Sequence, residues 1–266
     1  MSQVYKHYSQ SALNRQYNNR LQTPDFGIYL ERYELLSREA ERRWNFEKDI
    51  AYGNHPREKL DIFPGKDEQS PVVIFIHGGY WRSFDKSSFR FIASSFVPLG
   101  ITVICINYPL APEASMDQIV DSCEKAVEWI SSNYLGKKYL LGHSAGAHLA
   151  AMLLTKEIGK KIDGFVGLSG LYNLIPIQKS DLNESLQMDD EGCRRNSPIL
   201  YQPLVALNAL ILVGKDETDE FKSQTSEFNK YWEGTTAMEL ENVNHFSIVD
   251  PDSAVFDKII NHWKLK

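Results

Sequence analysis

Near the middle of the chain, Gly142-His143-Ser144-Ala145-Gly146 spells Gly-x-Ser-x-Gly between a short apolar run at 139–141 and a small-residue stretch at 147–154. A serine hydroxyl is a weak nucleophile near neutral pH. It becomes useful for acyl transfer when a tight strand-to-helix turn pushes it into the open and a neighbouring histidine takes its proton. Glycines two positions either side permit the close approach such a turn requires, and the start of the following helix directs N–H groups, including that of Ala145, toward an oxyanion. The pentapeptide alone is common, and the strand before it and helix after it separate a nucleophile from a glycine-rich connector.

The histidine in turn needs a carboxylate to fix its tautomer. For an elbow of this type the chain order is serine, acid, histidine, with the acid after the last-but-one strand and the histidine in the loop after the last. The run 209–213 ends at Gly214 and is followed by Asp216 and Glu217, and residues 238–240 form a later strand whose loop carries Asn244-His245-Phe246. His7 and His55 precede the sheet core, His143 adjoins the serine, His148 falls on the helix after it and His262 on the last helix, so His245 is the expected base. Adjacent residues leaving a strand point to opposite sides, so only one of Asp216 and Glu217 faces His245 and the other is a solvated charge. Spacing leaves both open.

The second half of an oxyanion hole is expected in the loop after the third strand. There the run 72–76 leads into His77-Gly78-Gly79-Tyr80-Trp81, and a helix beginning near Ser87 closes the connection. The glycines let backbone N–H groups turn inward, so Gly78, Gly79 and Tyr80 join Ala145 as candidate donors. Tyr80 and Trp81 either pack the loop or border the substrate, and their position beside the serine favours contact with it. Loop tryptophans usually pack, so a bracing role for Trp81 stands beside stacking on an aryl group.

These residues need a frame. The runs 72–76, 101–106, 139–141, 165–168 and 209–213 are short and nearly continuously apolar, as strands covered on both faces are. Between them Ile119, Cys123, Ala126, Val127 and Ile130 recur at helical steps, as do Val255, Ile259, Ile260 and Trp263. The alternation predicts an α/β fold, a mostly parallel central sheet covered by helices on both faces. Residues 1–44 are polar, with helical spacing only through Ile28, Tyr33, Leu36 and Ala40, and read as a helical N-terminal arm. Residues 173–203 break the rhythm with Pro176, Asp181, Asn183, Asp189, Asp190, Gly192, Pro198 and Pro203, and read as a loop-rich, cap-like insertion over the active site. No repeat or linker divides the 266 residues, which predicts one domain over 1–266.

Composition narrows the function. Lys and Arg number 29 against 35 Asp and Glu, a net charge of −6, which disfavours nucleic acid and anionic membranes as partners. Cys105, Cys123 and Cys193 are odd in number and widely spaced, so neither a disulfide framework nor a zinc site is indicated. The first thirty residues hold no apolar signal-peptide core, and the longest apolar runs fall far short of a membrane span. A cytoplasmic protein acting on a small molecule is expected, with a second copy of the chain as the one protein partner left open.

The chain resembles the α/β-hydrolase superfamily and, more narrowly, the kynurenine formamidase (arylformamidase) group. The matching pieces are Leu13-Asn14-Arg15-Gln16-Tyr17-Asn18-Asn19-Arg20, the loop His77 to Trp81, the elbow, Ser169-Gly170-Leu171-Tyr172-Asn173-Leu174 and Ser197-Pro198. Hormone-sensitive-lipase-like esterases usually carry a third glycine where Tyr80 stands and often an acidic residue where His143 stands, while sharing Tyr108, Leu110, Ala111, Pro112 and Glu113. The resemblance places the acid on Glu217, where aspartate is more usual, which keeps Asp216 in contention. It implies hydrolysis of N-formyl-L-kynurenine to formate and kynurenine without metal or cofactor, and with it Tyr80, Trp81, His143, Tyr172 and Phe246 are the expected substrate contacts. Two rivals remain: a carboxylesterase of broad specificity on short acyl esters, and a ligand-binding protein on a hydrolase scaffold that has lost turnover.

Overall fold

A computed structural model describes residues 3–265 and gathers the apolar runs into one eight-stranded sheet. In chain order its strands are β1 (Glu47–Ala51), β2 (Lys59–Phe63), β3 (Val72–Ile76), β4 (Thr102–Ile106), β5 (Lys138–His143), β6 (Gly164–Leu168), β7 (Ala209–Gly214) and β8 (Thr235–Leu240). Across the sheet they lie β1-β2-β4-β3-β5-β6-β7-β8; β1 and β2 pair antiparallel, β2 and β4 likewise, and every pair from β4 to β8 is parallel.

The two faces follow from the alternation of side chains along each strand. Val73, Phe75, Val103, Cys105, Leu141 and Val166 face one core with Phe89, Phe91, Phe96, Ile259 and Trp263. Ile74, Ile76, Ile104, Ile106 and Leu140 face the other, against the helices Met116–Asn133, Ala145–Leu154 and Asp219–Tyr231. Strands β3 to β6 are buried along their whole length, which is why they read as unbroken apolar runs. Among the described residues no helix is long and apolar enough to cross a membrane.

Parallel pairing carries the ends of β3, β5, β7 and β8 to one edge of the sheet. The register sets Ile76 opposite Gly142 and Gly214 opposite Leu240, so the loops after these four strands open side by side. Over them lies the arm, with helices Gln10–Gln16, Asn19–Gln22 and Phe26–Arg43. Residues 173–203 hold only short helices, Ile175–Gln178, Asn183–Leu186, Asp190–Arg195 and a 3-10 turn at Pro198–Leu200, with Pro176 and Pro198 opening the first and last and Asp189 capping the third.

Candidate active site

Ser144 occupies a turn only a constrained chain tolerates. Its φ of 55° and ψ of −119° lie outside the ordinary regions for an L-residue, held by its N–H donating to the Leu168 carbonyl at 2.8 Å. Glycine at 142 and 146 is compulsory. A Cβ on Gly146 would fall 1.9 Å from the Ile76 carbonyl oxygen, and one on Gly142 would fall 2.4 Å from the Gly146 oxygen. The helix begins at Ala145, two residues before the small-residue stretch at 147–154, and as its first residue Ala145 has an N–H with no intrahelical acceptor.

His245 sits in the loop after β8, and its Nδ1 lies 2.7 Å from Glu217 Oε2. Glu217 is buried, and its other oxygen accepts from the Ser169 hydroxyl at 2.6 Å and from the Gly214 N–H at 2.8 Å. The carboxylate oxygens can only accept, so His245 donates from Nδ1, which in the neutral ring leaves a lone pair on Nε2. Asp216 is exposed, in line with the opposite directions that adjacent residues take after a strand. The side chain meeting His245 is therefore Glu217.

His143 and His77 buttress the site without titrating in it. The Nε2 of His143 lies 2.9 Å from the His245 carbonyl oxygen, so it donates there and pins the base loop to the elbow. Burial, reinforced by the nearby His245, holds His143 well below the ordinary histidine range and therefore neutral. His77 is likewise buried, its pKa pushed down to about 4; its Nδ1 donates to the Gly78 carbonyl at 2.7 Å and its ring stacks on Tyr108 at 4.5 Å.

The loop after β3, where the oxyanion donors are expected, folds tightly over the serine. Gly79, Tyr80 and Trp81 have φ of 111°, 49° and 56°, three successive left-handed residues. The Gly78 carbonyl is taken by His77, and that of Gly79 by the Ser83 hydroxyl and the N–H groups of Arg82 and Ser83. Among the described residues the N–H groups of Gly79 and Tyr80 have no acceptor, which leaves them available to an oxyanion beside Ser144. Gly78 packs against Ser144, for a Cβ there would meet the Ser144 Cβ at 3.0 Å.

Ser144, His245, His143, Gly78, Gly79, Tyr80 and Phe246 line one cavity of about 370 Å³. Two of the expected substrate contacts are corrected. Trp81 is fully buried and outside the cavity lining, its indole N–H donating to His148 Nδ1 at 3.2 Å, because the left-handed turn swings it into the core. Tyr172 is fully buried too, stacked on Phe228 with centroids 3.8 Å apart, since the chain leaving β6 turns inward there.

The arm contributes what spacing did not reveal. Asn14, Tyr17, Asn18, Asn19, Arg20 and Phe26 line the cavity. Tyr80 donates its hydroxyl to the Tyr17 carbonyl at 2.7 Å, and Asn244, beside the base, donates from Nδ2 to the Tyr29 hydroxyl at 2.9 Å. Arg32 grips Asp250 and Asp252 at 2.6 Å each, and Tyr33 donates to the Phe246 carbonyl. The arm thus latches both the oxyanion loop and the His245 loop. Ser169 is the other residue without a sequence-based role, although it stands in one of the motifs quoted above. Its hydroxyl position could be anticipated only from the pairing of β6 with β7. Among the described residues no three His, Cys, Asp or Glu side chains converge as metal ligands do.

The BD-FAE family model matches residues 60–173. The chain is 33% identical to kynurenine formamidase of Salmo salar over 221 residues, 76% of this chain and 75% of that protein. It is equally similar to the Danio rerio kynurenine formamidase, 33% over 220 residues with the same coverage. Among solved structures, a Silicibacter protein provisionally named a thioesterase superposes with a TM-score of 0.86 at 27% identity, covering 92% of this chain and 97% of that one.

Proposed function

The chain belongs to the kynurenine formamidase family, an α/β-hydrolase acting on formyl or ester substrates, and we propose that its substrate is an N-formyl arylamine, N-formyl-L-kynurenine foremost. The observation that carries this reading is His245, paired with buried Glu217 at 2.7 Å and lining the same cavity as the strained Ser144, in a chain so similar to proteins of that name.

In this mechanism Ser144 Oγ adds to the formyl carbonyl while His245 Nε2 takes its proton, and Glu217 holds the imidazolium by its Nδ1–H. The N–H groups of Gly79, Tyr80 and Ala145 receive the oxyanion. As the tetrahedral adduct collapses, the C–N bond breaks and His245 returns the proton to the departing arylamine, leaving a formyl ester on Ser144. Water, deprotonated by His245, then attacks that ester and releases formate and the free serine. His143 and Ser169 hold the base and the acid in register for both steps.

The same machinery cleaves esters, so the deciding measurement is kcat/KM for N-formylkynurenine against short p-nitrophenyl esters, with fluorophosphonate labelling of Ser144 as the check on nucleophile activation. We expect the formamide to be preferred by at least tenfold and labelling to vanish in Ser144→Ala. A preference for the esters by that factor moves the protein to the carboxylesterases. An unlabelled wild-type serine makes it a binding protein.

A further inference from the structure

We infer that the mouth of this cavity reads a zwitterionic α-amino acid group carried by the arylamine, an inference that rests on the formamidase reading above. Three charged side chains from three separate stretches line the cavity: Arg20 of the arm, Arg82 after the oxyanion turn and Asp181 of the 173–203 insertion. Other charges on this surface have ionic partners, as Arg32, Lys156 and Arg195 have. These three have none among the described residues. Among the described residues the Arg82 guanidinium donates only to the Ser185 hydroxyl, at 3.0 Å, and Arg20 lies over the Phe26 ring at 5.0 Å. Asp181 is fixed through its backbone, its N–H donating to Asn14 Oδ1 at 3.1 Å, and among the described residues its carboxylate pairs with no cation.

Two guanidinium groups and one carboxylate around a single opening are complementary to a carboxylate and an ammonium presented together. A guanidinium fork matches a carboxylate, and Asp181 supplies the anion an ammonium requires. Asn14, Asn18 and Asn19 line the same wall with amides that can both donate and accept. The rim and the reacting centre share one space, because Arg20, Arg82 and Asp181 line the same cavity as Ser144, His245 and Tyr80. An aryl formamide that carries its formyl nitrogen at one end and an amino acid at the other would span such a cavity from oxyanion loop to mouth. All three charged residues are exposed, so water competes for each and discrimination comes from their sum.

The test compares kcat/KM for N-formyl-L-kynurenine with that for 2′-formamidoacetophenone, the same aryl ketone without the amino acid, in the wild type and in Arg20→Gln, Arg82→Gln and Asp181→Asn. The wild type should prefer the zwitterion by about tenfold or more, and each substitution should lower that ratio about threefold, chiefly through KM. The ratio corrects for any general loss in a variant. A ratio unchanged in all three variants overturns the inference alone. Failure of the wild type to cleave either formamide, with Ser144 still labelled by fluorophosphonate, overturns the formamidase reading and this inference with it.

Discussion

Replacing Glu217 by glutamine should inactivate the protein for a reason its hydrogen bonds dictate. The Oε1 position accepts from the Gly214 N–H at 2.8 Å and the Ser169 hydroxyl at 2.6 Å. A backbone N–H cannot accept, so in Glu217→Gln the amide oxygen must take that position and the NH₂ must face His245. There it donates to Nδ1, which drives the proton to Nε2 and removes the lone pair that Ser144 needs. The loss is that of a base in the wrong tautomer, on the order of 10³–10⁴ in kcat, or about 4–5.5 kcal/mol of transition-state stabilisation. The assay is single-turnover hydrolysis of an aryl formamide together with the rate of fluorophosphonate labelling, which should fall in parallel, and ¹⁵N NMR of the imidazole reads the tautomer directly. Asp216→Asn is the control: its side chain is exposed, and the backbone bond from its N–H to the Val243 carbonyl survives, so activity should stay within about twofold. A Glu217→Gln variant retaining more than a tenth of kcat, or a crippled Asp216→Asn, refutes the assignment.

Trp81→Phe should lower the melting temperature and leave selectivity alone. It removes the N–H that His148 Nδ1 accepts and opens a small void, together about 1–3 kcal/mol; a change in the kcat/KM ratio of aryl formamide over small alkyl ester would show that the indole reaches the substrate after all. Stability should also fall as pH drops from about 6.5 toward 5. Burial pushes His77 and His148 down to about 4 and holds His143 lower than its usual value, so below 6.5 the unfolded chain binds protons that the native state refuses. The lowered carboxylates, Asp49, Glu58, Asp117 and Asp250, act in the same direction, but their unfolded values lie at about 4, so they lose their contribution only at more acidic pH, which keeps this window for the histidines. In His148→Gln, whose amide can replace both ring hydrogen bonds, the stability lost between pH 7 and 5 by urea denaturation should shrink by about 2 kcal/mol; an identical loss in both proteins refutes the linkage.

What sequence reveals here divides by the physics of each part. The central strands announce themselves because parallel pairing buries both faces: the runs 72–76, 101–106, 165–168 and 209–213 match β3, β4, β6 and β7 to within a residue at either end. The edge is silent for the same reason. β1 reads Glu-Lys-Asp-Ile-Ala with hardly a buried side chain, and β2 carries Asp61 in its middle, fully buried because Arg90 and Lys86 neutralise it at 2.6 and 3.0 Å. Glu217 could be narrowed to one of two neighbours and no further, since the choice depends on which way the chain turns after Gly214. The arm is the instructive case. Its helices bury few apolar groups, so periodicity gives them no function, yet Tyr17, Asn19, Tyr29, Arg32 and Tyr33 hold the oxyanion and base loops through polar contacts with residues that lie more than sixty positions away. Such contacts leave no repeat in a sequence, because each is satisfied by one partner at one distance. The consequence bears on specificity. The strained Ser144 and the buried Glu217–His245 pair are set by the sheet edge, whereas much of the cavity wall around them comes from the arm and the insertion, so on the proposed reading selectivity can change there while Ser144, His245 and Glu217 stay as they are.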